Sequence, residues 1–441
     1  MKFFARTSCI GLYVVLMLAC TSAAMAADWV QVVLSDNGYE QIKKSGSGGE
    51  IFTQFGDILI IQSGEVFNDK LIKSEPISTV SVQPGEKLYL ITSKDPAILK
   101  ASFPGTRTIY REMGFIVILA DETEAMNLFS KQSDFTKVEL LPENQVILTA
   151  PVSTGVTRIK TEDDTAKFIK ALDMKAFMQD TTALVDFKSR YSYVESAQNS
   201  IDHCDKIFSK LGYKTSKQSF KIGSTATNNL IAERKGENEE KYGQVLVVGH
   251  LDSTSESPRD NAPGADDNGS GSAGVIALAR LLNESDLKPA ATVKFVLFMG
   301  EEQGLYGSKA YIKELSAAER ASIKAVLNLD MISFDAVAPL SIMLETSSFN
   351  RPMAEKLQKL ALDYADFTIQ TSFNAWGSDH APFLQQKIPA VLTIESEFAT
   401  NPNYHKTTDL IKIMNQNLCL QILRLNAAAL YAYAIKPELN N

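Results

Sequence analysis

The sequence predicts an α/β fold, a mixed and mostly parallel central sheet flanked by helices, preceded by a small α+β N-terminal domain. Three observations predict it. Beyond about residue 165, apolar β-branched runs alternate with stretches of helical periodicity, the pattern of a layered sheet. Several of those runs end on an acid or a histidine, at His250, Glu301, Glu302 and Asp330. In an open α/β sheet, ligands gather beyond the carboxyl ends of the strands, so these side chains should converge. Residues 28–145 have another texture, with short alternating runs separated by Gly, Asn-Gly, Pro-Gly and Ser-Gly turns.

Taken in order, residues 1–26 read as a signal peptide. Lys2 and Arg6 precede an apolar run from Cys9 to Cys20, and Ala24-Met25-Ala26 is a small-x-small cleavage site. The run is short of the ~20 residues that cross a bilayer, and Met17-Leu18-Ala19 makes Cys20 a poor lipid-attachment point. No later apolar segment reads as a membrane span, so the chain is expected to be secreted and soluble, periplasmic transit included. Residues 27–150 read as the N-terminal domain, with strands at Trp29–Leu34, Ile51–Phe55, Ile58–Ile61, Lys87–Thr92 and Phe115–Leu119 and a helix near 122–131. This region holds no histidine and no dense acid cluster. It is expected to be a pro-region that helps folding or masks a site, or else a retained accessory domain, and to pack on the catalytic domain.

After a boundary at 146–165, that catalytic domain is expected over 160–437. Helical periodicity begins there, and a helix around 193–212 carries Ala197, Ile201, Cys204, Phe208 and Leu211 on one face. Strands are expected at 217–222, 229–234, 244–249, 292–299, 325–330, 341–345 and 390–395. Helices are expected near 270–283, 306–315, 350–363 and 412–434.

The net charge of −8 argues against nucleic acid or an anionic membrane as partner. Once a leader is removed, only Cys204 and Cys419 remain, and sequence alone does not say whether they pair. Histidine is more informative. Of the four, His203 falls on the polar side of a helix and reads as a surface residue. His250, His380 and His405 sit beside acids, in His250-Leu-Asp252, Asp379-His380 and Asn403-Tyr404-His405-Lys-Thr-Thr-Asp409.

Imidazole and carboxylate together are a ligand set for zinc, and a catalytic zinc keeps one position open for water. Two zinc ions ~3.5–4 Å apart form a clamp that generates hydroxide and stabilises an oxyanion. Such a site needs about five ligands and a base that binds no metal, which His250, Asp267, Glu302, Asp330 and His405 supply, with Glu301 over. A strand stopping at Gly300 and a turn at Gly304 would separate the two adjacent glutamates, one to bind metal and one to act as general base. Asp252, two residues beyond His250, suits a carboxylate accepting the proton on the other ring nitrogen. The Gly264–Gly271 loop lacks a Lys-Ser/Thr and carries two acids, so it would repel phosphate. Neither His-Glu-x-x-His nor Gly-x-Ser-x-Gly occurs.

These motifs resemble the co-catalytic di-zinc aminopeptidases typified by secreted bacterial leucyl aminopeptidases. The resemblance runs from about 165 to 435. It rests on Gly249-His250-Leu-Asp252-Ser, Pro263-Gly-Ala-Asp266-Asp267-Asn-Gly-Ser-Gly, Glu301-Glu302-x-Gly-Leu-x-Gly-Ser, Leu329-Asp330-Met331 and Asn401-Pro-Asn-Tyr-His405-x-Thr-x-Asp409. It implies a zinc-exopeptidase fold with two Zn2+ per chain, acting on peptides or proteins with a free N-terminus. Asp267 would bridge both ions, His250 and Asp330 would complete one, and Glu302 and His405 the other. Glu301 would be the general base and Asp252 would orient His250, while His380 would not be a ligand. A cis peptide is implied at Asp267–Asn268. Met331, Trp376, Phe398 and Tyr404 could line an apolar pocket for the first residue, though the segment Phe373–Asp379 lacks the cysteine pair known in the family.

Three alternatives differ in what they need. A glutaminyl cyclase of the same fold needs one metal, a carboxypeptidase needs arginines near the site, and a binding module would have broken ligands. The chain is expected to act as a monomer.

Overall fold

The computed structural model of the chain describes residues 159–335, 339–375, 377–396, 398 and 400–437. Toward the N-terminus it describes 13–16, 28–34, 52–56, 58–63, 78–93, 98, 101–112, 114–130, 136–143, 145–149 and 151–153. The expected signal peptide lies outside these residues apart from the backbone of Tyr13–Leu16, a strand paired with Asp28–Leu34. The chain divides into two compact units. One is Met1–Val152 with Gln370–Asn374, and the other is Ser153–Ile369 with Ala375–Asn441.

In the first unit, Arg107–Glu112, Phe115–Ala120, Lys87–Ser93 and Thr136–Leu140 form an antiparallel sheet of four strands. Phe115–Ala120 is buried along its whole length. The helix Glu122–Phe129 starts on a capping box, Asp121 accepting from the Glu124 amide while the Glu124 carboxylate accepts from the Asp121 amide. Gln370–Asn374 joins this unit late in the chain, with Ser372 opposite Leu148.

The second unit is built on one sheet, whose strands are β1 (Lys214–Ile222), β2 (Thr225–Arg234), β3 (Gln244–His250), β4 (Thr292–Phe298), β5 (Ile323–Leu329), β6 (Ser341–Glu345) and β7 (Ala390–Glu395). Their spatial order is β1-β2-β4-β3-β5-β7-β6. The four central strands β4, β3, β5 and β7 are mutually parallel, and β2 and β6 pair antiparallel at their flanks. This is the mixed, mostly parallel sheet that the sequence predicts. A parallel sheet is covered on both faces, which requires near-continuous apolar strands. Accordingly every residue of β3 is buried, and β4 and β5 each expose or half-expose only one lysine.

Helix Glu195–Lys210 buries Ala197, Ile201, Cys204 and Phe208, as its periodicity predicts. The helical periodicity expected after the boundary begins with two helices that the sequence did not delimit, Asp164–Lys170 and Met174–Val185, each N-capped by an aspartate. The last helix, Gln416–Leu430 continued by Tyr431–Ile435, starts later than the expected 412. Its 20 residues are long and apolar enough to cross a membrane on composition alone, but 83% of its most apolar window is buried within the protein, as befits a core helix. Cys204 and Cys419 are both buried and free.

Candidate active site

The sheet places its chemistry at the carboxyl ends of the parallel strands. His250 is the last residue of β3, Asp330 directly follows β5, and Glu301 and Glu302 follow β4 by a few residues. Beyond β4 the chain turns at Gly300 (φ +75°) and Gly304 (φ +114°). At Gly300 the positive φ favours glycine, and a Cβ there would also crowd the end of the Ile222 side chain at 2.6 Å. The turn frees the adjacent glutamates from the opposite orientations a strand would impose. Asp267 sits in the tight loop before helix Gly271–Glu284, and the Asp267–Asn268 peptide is cis, as expected. His405 stands on a loop beyond β7 with φ +54°.

Five side chains meet in two groups that share one member. Around His250, its Nε2 lies 3.3 Å from Asp267 Oδ1 and 3.2 Å from Asp330 Oδ1. Around His405, its Nε2 lies 3.2 Å from Asp267 Oδ2 and 3.0 Å from Glu302 Oε2. Each trio, His250-Asp267-Asp330 and Asp267-Glu302-His405, brings its ligand atoms within 4.8 Å of one another. Zinc bonds of ~2.0–2.1 Å in a tetrahedron set neighbouring ligand atoms about 3.3 Å apart, so both trios have the spacing of a zinc shell.

Donor chemistry fits as well. His250 Nδ1 lies 3.1 Å from the main-chain oxygen of Asp252. A proton on Nδ1 donated there leaves the Nε2 lone pair facing the two carboxylates, as a ligand requires. The Asp252 carboxylate is 3.7 Å from that ring, beyond a hydrogen bond. It accepts instead from the main-chain amides of Glu301 and Glu302, each at 3.3 Å, and from Ser192 Oγ at 3.2 Å. So the hydrogen bond to the ring is made by the carbonyl, while the carboxylate orients the glutamate pair.

The charges are unbalanced. Asp267, Asp330, Glu301 and Glu302 surround two imidazoles, and His250, Asp267, Glu301 and Asp330 are all buried. Burial lowers the His250 pKa, but Asp330 and Glu301 outweigh it and raise the value well above the usual one. Burial likewise opposes the protonated form of His405, and Glu302 and Asp267 lift its pKa to about 10. Burial and the charge of Asp267 raise that of Glu302. Acids that hold protons on their neighbours in this way are a ready seat for metal cations, which would replace those protons.

The remaining predicted residues are placed as follows. Met331 is buried with φ +51°, its amide donating to Asn268 Oδ1 at 3.2 Å. Phe398 is buried, and Tyr404 stacks on the His405 ring with centroids 3.8 Å apart. Trp376 lies outside the described residues. His380 is buried and belongs to neither trio, its Nε2 3.2 Å from Glu345 Oε1. His203 is half-buried, edge-on to Phe187.

Sequence reasoning missed the residues that hold the ligands. Ser378 Oγ donates to Asp330 Oδ2 at 2.6 Å and accepts from Asn328 Nδ2 at 2.8 Å. Asp266 accepts from Ser333 and Asn401. Serines and asparagines have no spacing signature, and only the adjacency of Ser378 to Asp379-His380 hinted at a role.

Comparison with known proteins points the same way. The model of Peptidase family M28 matches residues 229–430. The chain is 31% identical over 284 residues to a probable leucine aminopeptidase of Arthroderma otae, covering 62% of this chain and 75% of that protein. In structure it is similar to the LapA aminopeptidase of Legionella pneumophila, with a TM-score of 0.57 and 20% identity over 80% of this chain and 99% of that one. It is also similar to a zinc aminopeptidase of Bacillus subtilis, with a TM-score of 0.54 and 16% identity over 60% of this chain and 96% of that one.

Proposed function

Because the chain belongs to peptidase family M28 and is an aminopeptidase, we propose that it removes residues from the free N-termini of peptides and proteins by a two-zinc mechanism. The observation that carries the two-metal reading is the position of Asp267, one oxygen 3.3 Å from His250 Nε2 and the other 3.2 Å from His405 Nε2. On this reading His250, Asp267 and Asp330 hold one zinc, and Asp267, Glu302 and His405 hold the other. When bound, the pair lowers the pKa of water and neutralises the developing oxyanion.

The protein's own part is proton transfer and orientation. Glu301 takes a proton from the attacking water and returns it to the leaving nitrogen. Its main-chain amide is tied to Asp252 Oδ1, which fixes the base relative to the strand that carries His250. Burial excludes bulk water from the base, so the proton it takes stays within the site.

An apolar first residue such as leucine is the proposed preference, with Met331, Phe398 and Tyr404 as candidate walls, and the similarity to a probable leucine aminopeptidase supports it. The leader-like residues 1–26 support secretion, and the N-terminal region is proposed as a pro-region. Leucine 4-nitroanilide and its N-acetyl counterpart test the reading on purified protein. The free amine should be hydrolysed, the blocked one left intact, and activity lost to a chelator should return with zinc. Cleavage of the blocked substrate would contradict the exopeptidase reading, and indifference to chelation the metal.

A further inference from the structure

Arg190 is the largest side chain in the described structure that is wholly buried. Among the described residues its guanidinium donates to main-chain carbonyls alone: Nε to Leu251 at 2.8 Å, Nη1 to Leu184 at 3.0 Å and Pro263 at 2.7 Å, and Nη2 to Gly264 at 2.8 Å. Burying a charge costs several kcal/mol unless dipoles or an opposite charge compensate it, so packing alone is a poor reason for arginine here. Three of the four carbonyls belong to segments that carry metal ligands. Leu251 follows His250, and Pro263 and Gly264 open the loop that ends at Asp267.

The amides of that loop meet a carboxyl group. Asp409 accepts from the amide of Asp266 at 2.9 Å and from that of Asp267 at 3.0 Å, and its main-chain oxygen accepts from Ala265 at 3.2 Å. Carbonyls at 263 and 264 therefore point to a cation, and amides at 265–267 to an aspartate. The loop is therefore held through its carbonyls by one side chain and through its amides by the other. The loop has no slack, since Gly264 has φ +51° and a Cβ there would lie 2.4 Å from the Asp267 carbonyl oxygen. Asp409 also lies four residues after His405, so it links the loop of one proposed ligand to that of another.

We infer that Arg190 and Asp409 are a pair of positioning residues, a hydrogen-bonding clamp that holds the 263–267 loop so that the two Asp267 oxygens face the two histidines. This rests on the two-metal reading above. Neither residue touches substrate. The clamp acts through the backbone that presents Asp267, so its loss should weaken both metal positions together.

The test uses the full chain with Arg190→Met, Arg190→Lys, Asp409→Asn and the Arg190→Met/Asp409→Asn double variant. Zinc affinity is read by competition with a chromophoric chelator, and the melting of the metal-free protein is read alongside by circular dichroism. At temperatures where the metal-free variants are folded, Arg190→Met and Asp409→Asn should each weaken both zinc positions about ten- to hundredfold, the usual effect of losing a supporting partner. Arg190→Lys should keep part of the affinity, because an ammonium lacks the planar fork that serves several carbonyls at once. The double variant should lose less than the product of the single losses, as two ends of one device do. Should Arg190→Met fail to fold, Arg190→Lys and Asp409→Asn carry the same measurement.

Wild-type zinc affinity in the folded variants, with only the melting temperature lowered, would overturn the clamp and leave the function standing. A wild-type protein that binds fewer than two zinc ions would overturn the two-metal reading and the clamp with it.

Discussion

His250 and Asp330 reach the candidate metal centre from the ends of buried parallel strands, each 1% exposed, whereas His405 reaches it from a loop with its side chain 31% exposed. The first half inherits its geometry from the sheet. The strands under His250 and Asp330 are neighbours, in register from Val245 opposite Ala325 to Val248 opposite Asn328. The second half is assembled from a turn after β4 and a loop after β7. It is held by smaller devices: the Tyr404 ring stacked on His405, the Asp252 carboxylate under the Glu302 amide, and Thr407 donating to Glu256 through its amide at 2.8 Å and its hydroxyl at 2.9 Å. A rigid half and a more open half, joined through Asp267, suit a site that keeps its architecture while admitting a peptide end.

Glu301 belongs to neither half, and its removal separates catalysis from assembly. Glu301→Gln should lower kcat on leucine 4-nitroanilide by about a thousandfold or more, within the range of 10²–10⁴ that general-base catalysis contributes and what loss of charge adds. Zinc content measured by plasma emission should stay at the wild-type level. Loss of zinc with the activity would make Glu301 a ligand and redraw the second half. A smaller effect sharpens the asymmetry itself. Stepwise chelation should release zinc in two phases, the first from the His405 side, with at least about a tenfold difference in affinity, equal to ~1.4 kcal/mol. His405→Ala should abolish the weaker phase and keep the tighter one. A single phase, or loss of the tighter one, would break the comparison.

The unequal construction also explains which parts were legible in the sequence. His250 and Asp330 could be read because a buried parallel strand is an uninterrupted apolar run, and its end is marked by the first polar residue. The Glu301-Glu302 pair could be read because adjacent acids between glycines require an explanation. His405 drew attention by its neighbours, and its partnership with Glu302 followed from the resemblance. Arg190 was invisible, because nothing in a sequence distinguishes the rare buried arginine from the many exposed ones. Asp252 could be read from its spacing to His250, and it lies beside that ring, its main-chain oxygen 3.1 Å and its carboxylate 3.7 Å from Nδ1. Strand Arg107–Glu112 escaped because its charged residues at both ends mask the alternation between them.

Everything proposed for the site depends on Asp267 being shared by two cations. Crystals of the zinc-loaded protein, with anomalous diffraction collected on both sides of the zinc absorption edge, test it most directly. Two peaks ~3.5–4 Å apart, one beside His250 and Asp330, the other beside Glu302 and His405, and both within bonding reach of the Asp267 carboxylate, are the predicted result. A single peak, or a second ion that Asp267 does not touch, would contradict it.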